Sequence, residues 1–113
     1  MHKNTKIIIS FLGSGCGGGF LLEAAKTGNF PVVKFLQENG ANVNVTTRDD
    51  TNSPLLHASR NGFFTMAKFL QEKGANVNAR NSFRTTPLIA ASLNGHRDIV
   101  KLLEVNLIGL THT

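Results

Sequence analysis

An internal repeat of about 33 residues is the feature that most constrains the fold of this chain. Gly28, Gly62 and Gly95 lie 34 and 33 residues apart, and the segment at 40–44 recurs unchanged at 74–78. Because a unit of this length cannot bury its apolar face alone, the repeat predicts a solenoid of stacked units. Three further sets of residues keep the same offsets: Leu21, Leu55 and Leu88; Ala24, Ala58 and Ala91; and Leu36, Leu70 and Leu103.

Each unit carries the signals of two short helices. Ser53-Pro54 and Thr86-Pro87 each pair an N-cap residue with a proline at the first helical position. Gly62 follows the last turn of one such helix, where a left-handed residue commonly ends helices. The pattern predicts three helix pairs, at residues 20–27 with 31–39, 54–61 with 65–73, and 87–94 with 97 onward.

The last unit lacks the glycine that would stop its second helix, because Leu107 stands at that position. Leu103, Leu107 and Ile108 would share one face of a continued helix. We therefore expect the helix to run past Asn106 and to end near Gly109. Its apolar residues would cover the open side of the third unit, or pair two chains through this uncapped C-terminal end.

The repeat resembles the ankyrin repeat, whose signature is Thr-Pro-Leu-His-x-Ala at a period of about 33 residues. The matching segments are residues 53–58, Ser-Pro-Leu-Leu-His-Ala, and residues 86–91, Thr-Pro-Leu-Ile-Ala-Ala; the resemblance covers roughly residues 20–103. It implies an all-α, ankyrin-type solenoid of three stacked helix–turn–helix repeats, the first capping-like and the last incomplete. On this division residues 1–19 are a glycine-rich leader, 20–110 the repeat domain (repeats at about 20–44, 45–78 and 79–108) and 111–113 a tail.

The chain departs from the family at the signature histidine, which Leu22, Leu56 and Ile89 replace, while His57 stands one position later. In the family that histidine ties helix starts and loops together by hydrogen bonds, so its loss predicts a less rigid arrangement. We expect His57 to be a polar residue of the inner helix surface. No Ser, Cys or carboxylate stands at a fixed spacing to make it a catalytic base, and the sequence predicts no enzyme.

The resemblance implies a non-catalytic module that binds a partner protein through hairpin tips and the concave face of the first helices. Phe83 is the strongest candidate, because an aromatic in a polar turn has no local structural role and aromatics often anchor interfaces. The alternative for Phe83 is that its ring folds back on its own loop. For Arg60, one of the helix candidates below, the alternative is a side chain that is merely solvated. The tip candidates are Asp49, Asp50, Asn52, Ser82, Phe83 and Thr85. The helix candidates are Lys26, Thr27, Arg60, Asn61, Leu93 and Asn94.

The formal net charge of +5 and the pI near 9.9 permit an acidic protein, a nucleic acid or an anionic membrane as partner. No reading motif accompanies the charge, so the sequence does not favour nucleic acid. Lys34, Lys68 and Lys101 recur at one position of the second helices. That ridge could meet an acidic partner, but it is also the exposed position expected of a solvated helix face.

The segment before the first unit allows two other interpretations. Residues between Gly13 and Gly18 fit Gly-x-Gly-x-x-Gly, so the alternative function is nucleotide binding, although the chain lacks the strand–helix alternation of such folds. The segment also resembles a bacterial lipoprotein signal with Cys16 as the lipidated residue. We expect a cytoplasmic protein, with export or lipid anchoring as the alternative, and membrane attachment only if Cys16 is lipidated.

Neither a cofactor nor a metal site is predicted. His2, His57, His96 and His112 lie far apart in sequence, and Cys16 is the single cysteine. Apolar runs in the sequence fall short of the roughly 18 residues that a membrane-spanning helix requires.

Overall fold

The computed structural model describes residues 19–108, and the side chains of residues 19–105. Successive helices in this part of the chain form three helix–turn–helix units, and it contains no strand. The helices are α1 (Gly19–Thr27), α2 (Phe30–Glu38), α3 (Pro54–Asn61), α4 (Phe64–Glu72), α5 (Pro87–Leu93) and α6 (Arg97–Ile108). We call residues 45–53 loop 1 and residues 79–86 loop 2; each leads into the first helix of the next repeat.

The helices form two layers. The first helices α1, α3 and α5 stack side by side, and the second helices α2, α4 and α6 contact one another in the same order. In the second layer the rings of Phe30 and Phe69 meet edge to face across neighbouring repeats, with centroids 5.2 Å apart. The core lies between the layers and contains the repeated leucines Leu21, Leu36, Leu55, Leu70 and Leu103.

The predicted caps begin two of the first helices. Ser53 Oγ accepts a 3.2 Å hydrogen bond from the Leu56 N–H, and Thr86 Oγ1 accepts one of 3.2 Å from the Ile89 N–H. Each bond satisfies one of the backbone donors that a helix start leaves without an intrahelical partner. The two Ser/Thr-Pro pairs therefore act as the sequence predicts.

Several helix bounds differ from the prediction by one residue. Gly19, which the sequence analysis placed in the leader, is the first residue of α1. The helices α2 and α4 begin at Phe30 and Phe64, because the carbonyls of the N-cap residues Asn29 and Phe63 accept the first i→i−4 bonds, from the N–H groups of Val33 and Ala67 at 3.1 and 2.9 Å. Their ends, and that of α5, also come one residue early, because the next residue serves as a C-cap whose backbone departs from helical geometry.

A ring from each following repeat lies against the glycine that ends a first helix. Gly62 has a φ of 81°, and a Cβ built there would lie 2.6 Å from the His96 ring. At Gly28, with the same φ, it would lie 2.7 Å from the Phe63 ring. Glycine is therefore required at these positions for two reasons: the backbone is left-handed, and a side chain of the next repeat approaches closely.

The two end repeats expose positions that are covered inside the stack. Leu56 is fully buried under the third repeat, whereas Ile89, its counterpart one repeat later, is 44% exposed. At the other end, Val32 is 36% exposed, whereas its counterpart Met66 is 2% exposed under the first repeat. Exposure of apolar side chains here follows from position in the solenoid.

The last helix runs past Asn106 to Ile108, as the missing stop glycine predicts. The side chains of Leu107 and Ile108 lie outside the described residues. Whether they cover the third repeat or pair two chains stays a prediction.

Candidate interaction surface

Loop 2 is organised around the side chain of Asn81, which is 9% exposed. Its Oδ1 accepts hydrogen bonds from the N–H groups of Phe83 and Thr85, at 2.8 and 2.9 Å. Its own backbone closes the turn, because the Asn81 N–H donates to the Thr85 carbonyl at 3.1 Å and the Arg84 N–H donates to the Asn81 carbonyl at 2.9 Å. Asparagine suits this role because its side chain readily bonds the backbone a few residues on. The backbone around Phe83 is fixed by these four bonds.

Arg84 completes this turn in a left-handed conformation, with a φ of 67°. Short hairpin loops commonly need one such residue, and glycine adopts it most easily. An arginine there costs roughly 1 kcal/mol of conformational free energy relative to the right-handed region. The tip therefore carries a long cationic side chain next to Phe83, and that side chain is exposed.

Loop 1 is closed by a turn from Thr47 to Asp50. The Thr47 N–H donates to the Asp50 carbonyl at 3.0 Å, and the Asp50 N–H donates to Thr47 Oγ1 at 3.0 Å. The Asp50 carboxylate then faces helix α3, where its Oδ2 lies 2.7 Å from Nε2 of the buried His57. The tie between helix and loop that was expected to be lost with the signature histidine is made here by His57.

The pKa of the Asp50 carboxyl reflects this environment. Burial raises it, but the hydrogen bond and charge of His57 and the hydrogen bonds from Asn52 outweigh the burial. The net result is a pKa below the ordinary value of an aspartate. Asp50 is therefore an ionised acceptor at neutral pH.

A chain of side-chain hydrogen bonds connects the two loops. Asp50 Oδ1 accepts from both the N–H and the side-chain amide of Asn52, each at 3.1 Å. Asn52 Oδ1 in turn accepts from the Asn81 amide at 2.8 Å. A second link joins Thr51 and Ser82, whose N–H donates to Thr51 Oγ1 at 3.0 Å. The tip of loop 2 is thereby held against loop 1 and, through Asp50, against His57.

The predicted tip residues divide into two groups. Phe83 is 85% exposed, so its ring does not fold back on its own loop, and Asp49 and Ser82 are also exposed. By contrast, the Asp50 and Asn52 side chains are engaged inside the molecule. Thr85 is half-buried, and its N–H is bonded to Asn81.

The predicted helix residues are mostly exposed. Lys26, Arg60 and Leu93 occupy the same repeat position on α1, α3 and α5 and form one row; Leu93 is 79% exposed and Arg60 is half-buried. The Asn61 amide donates to the Lys26 carbonyl at 3.2 Å, and thus joins two repeats. The Thr27 hydroxyl donates to the Glu23 carbonyl within α1, and the amide of Asn94, the C-cap of α5, donates to the Ala90 carbonyl, at 2.9 Å each.

Sequence reasoning missed three exposed arginines and Ile89. Arg48, Arg80 and Arg84 stand in the two loops, and their only sequence signal is their position beside predicted tip residues. Ile89 gave no signal, because its counterparts in the first two repeats are buried. An open groove of about 380 Å³ also lies on the end face of the third repeat, lined by Ser92, Gly95, Arg97, Val100, Lys101 and Glu104.

The described residues do not suggest a metal centre or a membrane span. In residues 19–105 no three His, Cys, Asp or Glu side chains come together as a metal site. Within the described part of the chain, every helix is too short or too polar to cross a membrane. The Gly13 to Gly18 loop and Cys16 lie outside the described residues.

The comparisons with known proteins agree with this geometry. None of the curated proteins compared with the chain matches it significantly. The family profile described as ankyrin repeats (3 copies) matches residues 21–107, which include nearly all of the six helices and both loops. The chain therefore belongs to the ankyrin repeat family.

Proposed function

We propose that this chain is a non-catalytic module that binds its partner protein through the tip of loop 2 and the adjoining concave face of the first helices. Ankyrin repeats are generic protein–protein interaction modules. To this general role the proposal adds the binding surface and its anchor residue. Phe83 is the anchor, and Leu93 extends the apolar contact from the loop onto α5.

The observation that carries the proposal is the 85% exposure of Phe83 on a loop whose backbone is fixed. Exposed aromatic side chains are over-represented among the residues that dominate binding energies. A fixed backbone lowers the conformational entropy that binding would otherwise remove. At this exposure the Phe83 ring adds little to the packing of the described residues, so packing does not explain an aromatic residue at this position.

A row of equivalent side chains supports the concave face as the rest of the surface. Lys26, Arg60 and Leu93 lie at one repeat position on three neighbouring helices, so they present a continuous strip beside the loops. The strip changes from basic to apolar along the stack, and its apolar end is in the repeat that carries Phe83.

The test is photo-crosslinking with a benzoylphenylalanine residue at position 83, with position 35 as the matched control. Phe35 is also exposed, at 49%, but it lies on second helix α2. We expect a specific protein adduct from position 83 and none from position 35. With the purified partner, Phe83→Ala should weaken binding about tenfold or more, as expected for an anchor worth about 1.4 kcal/mol or more.

Adducts that form only at position 35 would contradict the proposal. So would a Phe83→Ala variant that binds the purified partner as tightly as the wild type. Phe35→Ala should change the affinity by less than a factor of two, and circular dichroism should show the same helix content in both variants.

A further inference from the structure

Charge is distributed unevenly over the two layers of the solenoid. The second helices are balanced: Lys34 with Glu38 on α2, Lys68 with Glu72 on α4, and two bases with two acids on α6. Pairs of opposite charge spaced four residues apart lie on the same side of a helix. The lysine ridge of the second helices therefore has little net field to offer a charged partner.

The region of loop 2 is not balanced in this way. The stretch between Glu72 and Asp98 has no acidic residue, yet it contains Arg80 and Arg84 on either side of Phe83. Both arginine side chains are exposed, and neither forms an ion pair with any described residue. Their charges are available to a partner in water.

Loop 1 cancels only part of this charge, because it carries Arg48 beside its two aspartates. Of its two carboxylates, Asp50 is turned onto His57 at 2.7 Å and also accepts two hydrogen bonds from Asn52. Asp49 is exposed, but it stands directly beside the exposed Arg48. On the adjoining strip, Arg60 adds a further basic side chain, and the Glu23 carboxylate on α1 is offset by Lys26.

We propose that the partner presents an acidic segment that carries an apolar side chain. The apolar side chain packs on Phe83, and flanking carboxylates pair with Arg80 and Arg84. This inference rests on the proposed function, because it takes Phe83 as the centre of the binding surface. Arginine suits the role, since its planar guanidinium can bind a carboxylate through two hydrogen bonds.

An acidic protein segment fits this surface better than a nucleic acid does. Single-stranded nucleic acid is held by several aromatic rings on which successive bases stack. Between the described repeats, the loops carry one exposed aromatic residue, Phe83. Such a surface can accept one apolar side chain between charged neighbours, but it does not form a stacking platform.

The probe is a short peptide of Asp and Glu residues around one central Leu, compared with the same peptide with Asn and Gln in place of the acids. Calorimetry should show that the full chain binds the acidic peptide about tenfold or more tightly than the amide peptide, and that the difference shrinks between about 50 and 200 mM salt. Arg80→Glu/Arg84→Glu should abolish this preference. Lys34→Glu/Lys68→Glu makes the same change in net charge on the second helices and should retain the preference within a factor of two.

Three outcomes would overturn the inference. The first is that the acidic peptide does not bind more tightly than the amide peptide. The second is that both double variants weaken binding of the acidic peptide equally, which would mean that only net charge matters. The third is that an oligothymidine of equal charge binds as tightly, which would indicate a polyanion or nucleic-acid surface. The proposed function is judged separately. A crosslinked partner whose binding depends on Phe83 but not on Arg80 and Arg84 would leave that function standing and refute the acidic partner.

Discussion

The side-chain amide of Asn81 donates a 2.8 Å hydrogen bond to Oδ1 of Asn52, and this contact joins the two inter-repeat loops. Asn81→Ala removes it and also deprives the N–H groups of Phe83 and Thr85 of their acceptor. We expect the free energy of unfolding to fall by about 1–3 kcal/mol, since groups that lose a partner cost more than the bond itself.

Urea denaturation monitored by circular dichroism measures this loss. Ser82→Ala is the control, because it removes only the exposed 3.2 Å bond that Thr51 Oγ1 donates to the Ser82 hydroxyl, while the link from the Ser82 backbone N–H to Thr51 remains. The control should lose less than about 0.5 kcal/mol. Equal losses in the two variants would mean that Asn81 does not organise the tip.

Gly62 and Gly95 offer a matched test of the repeat interface. Both have left-handed backbones, with φ of 81° and 75°, but a Cβ would meet the His96 ring only at Gly62. Gly95→Ala should cost roughly 1 kcal/mol, the conformational penalty alone. Gly62→Ala should cost at least about 1 kcal/mol more, because the ring must move and give up its 2.9 Å bond to the Arg60 carbonyl. Chemical denaturation of both variants gives the difference, and a difference of zero would refute this account of the interface.

Asp50 should make stability depend on pH in the acid range. Its pKa is lowered in the folded protein, so its ionised form stabilises the fold, and that contribution is complete above the unfolded pKa of about 3.9. The contribution is lost as the pH falls through the lower folded pKa. Asp50→Asn should therefore be less stable at neutral pH and should lose less stability on acidification than the wild type. Denaturation curves from neutral pH down to about pH 2 test this sign. Asp49→Asn, at an exposed carboxylate, should keep the slope of the wild type.

Ser59 should be replaceable with a gain in stability. Its hydroxyl is fully buried and finds no hydrogen-bond partner among the described residues. In the first repeat the equivalent position is Ala25, which is also fully buried. Ser59→Ala should raise the free energy of unfolding by about 1 kcal/mol. Ser92→Ala, at the exposed counterpart in the third repeat, should leave it unchanged, and a loss at Ser59 would show that the hydroxyl is satisfied in solution.

The fold could be predicted from the sequence because each of its signals repeats. Ser53-Pro54 and Thr86-Pro87 mark helix starts by local chemistry, and Gly62 marks an end, so no knowledge of distant contacts is needed. The extension of α6 past Asn106 could also be predicted from local sequence, because Leu107 stands where a glycine would stop the helix. One-residue errors at the starts of the second helices arose because the carbonyls of Asn29 and Phe63 already accept helical i→i−4 bonds, one residue earlier than predicted.

The candidate surface could be predicted only in part. The exposure of Phe83 could be predicted, because an apolar ring in a polar turn is recognisable from the sequence alone. The bonds that link Asp50, Asn52 and Asn81 could not be predicted, since the partners are up to 29 residues apart and the two loops differ in sequence and length. Which polar side chains turn inward is decided by how the repeats stack, and Ile89 is exposed only because no further repeat covers it among the described residues.

The hydrogen bonds that Asn81 accepts inside loop 2 have a kinetic consequence for the proposed binding. In the binding mode that we propose, the bonds from the Phe83 and Thr85 N–H groups to Asn81 preorganise the tip, so we expect association without a prior rearrangement of the loop. We then expect diffusion and the field of the nearby arginines to set the association rate, and the extent to which the partner buries Phe83 to set the dissociation rate. Substitutions at Arg80 and Arg84 should mainly slow encounter, and substitutions at Phe83 should mainly shorten the lifetime of the complex.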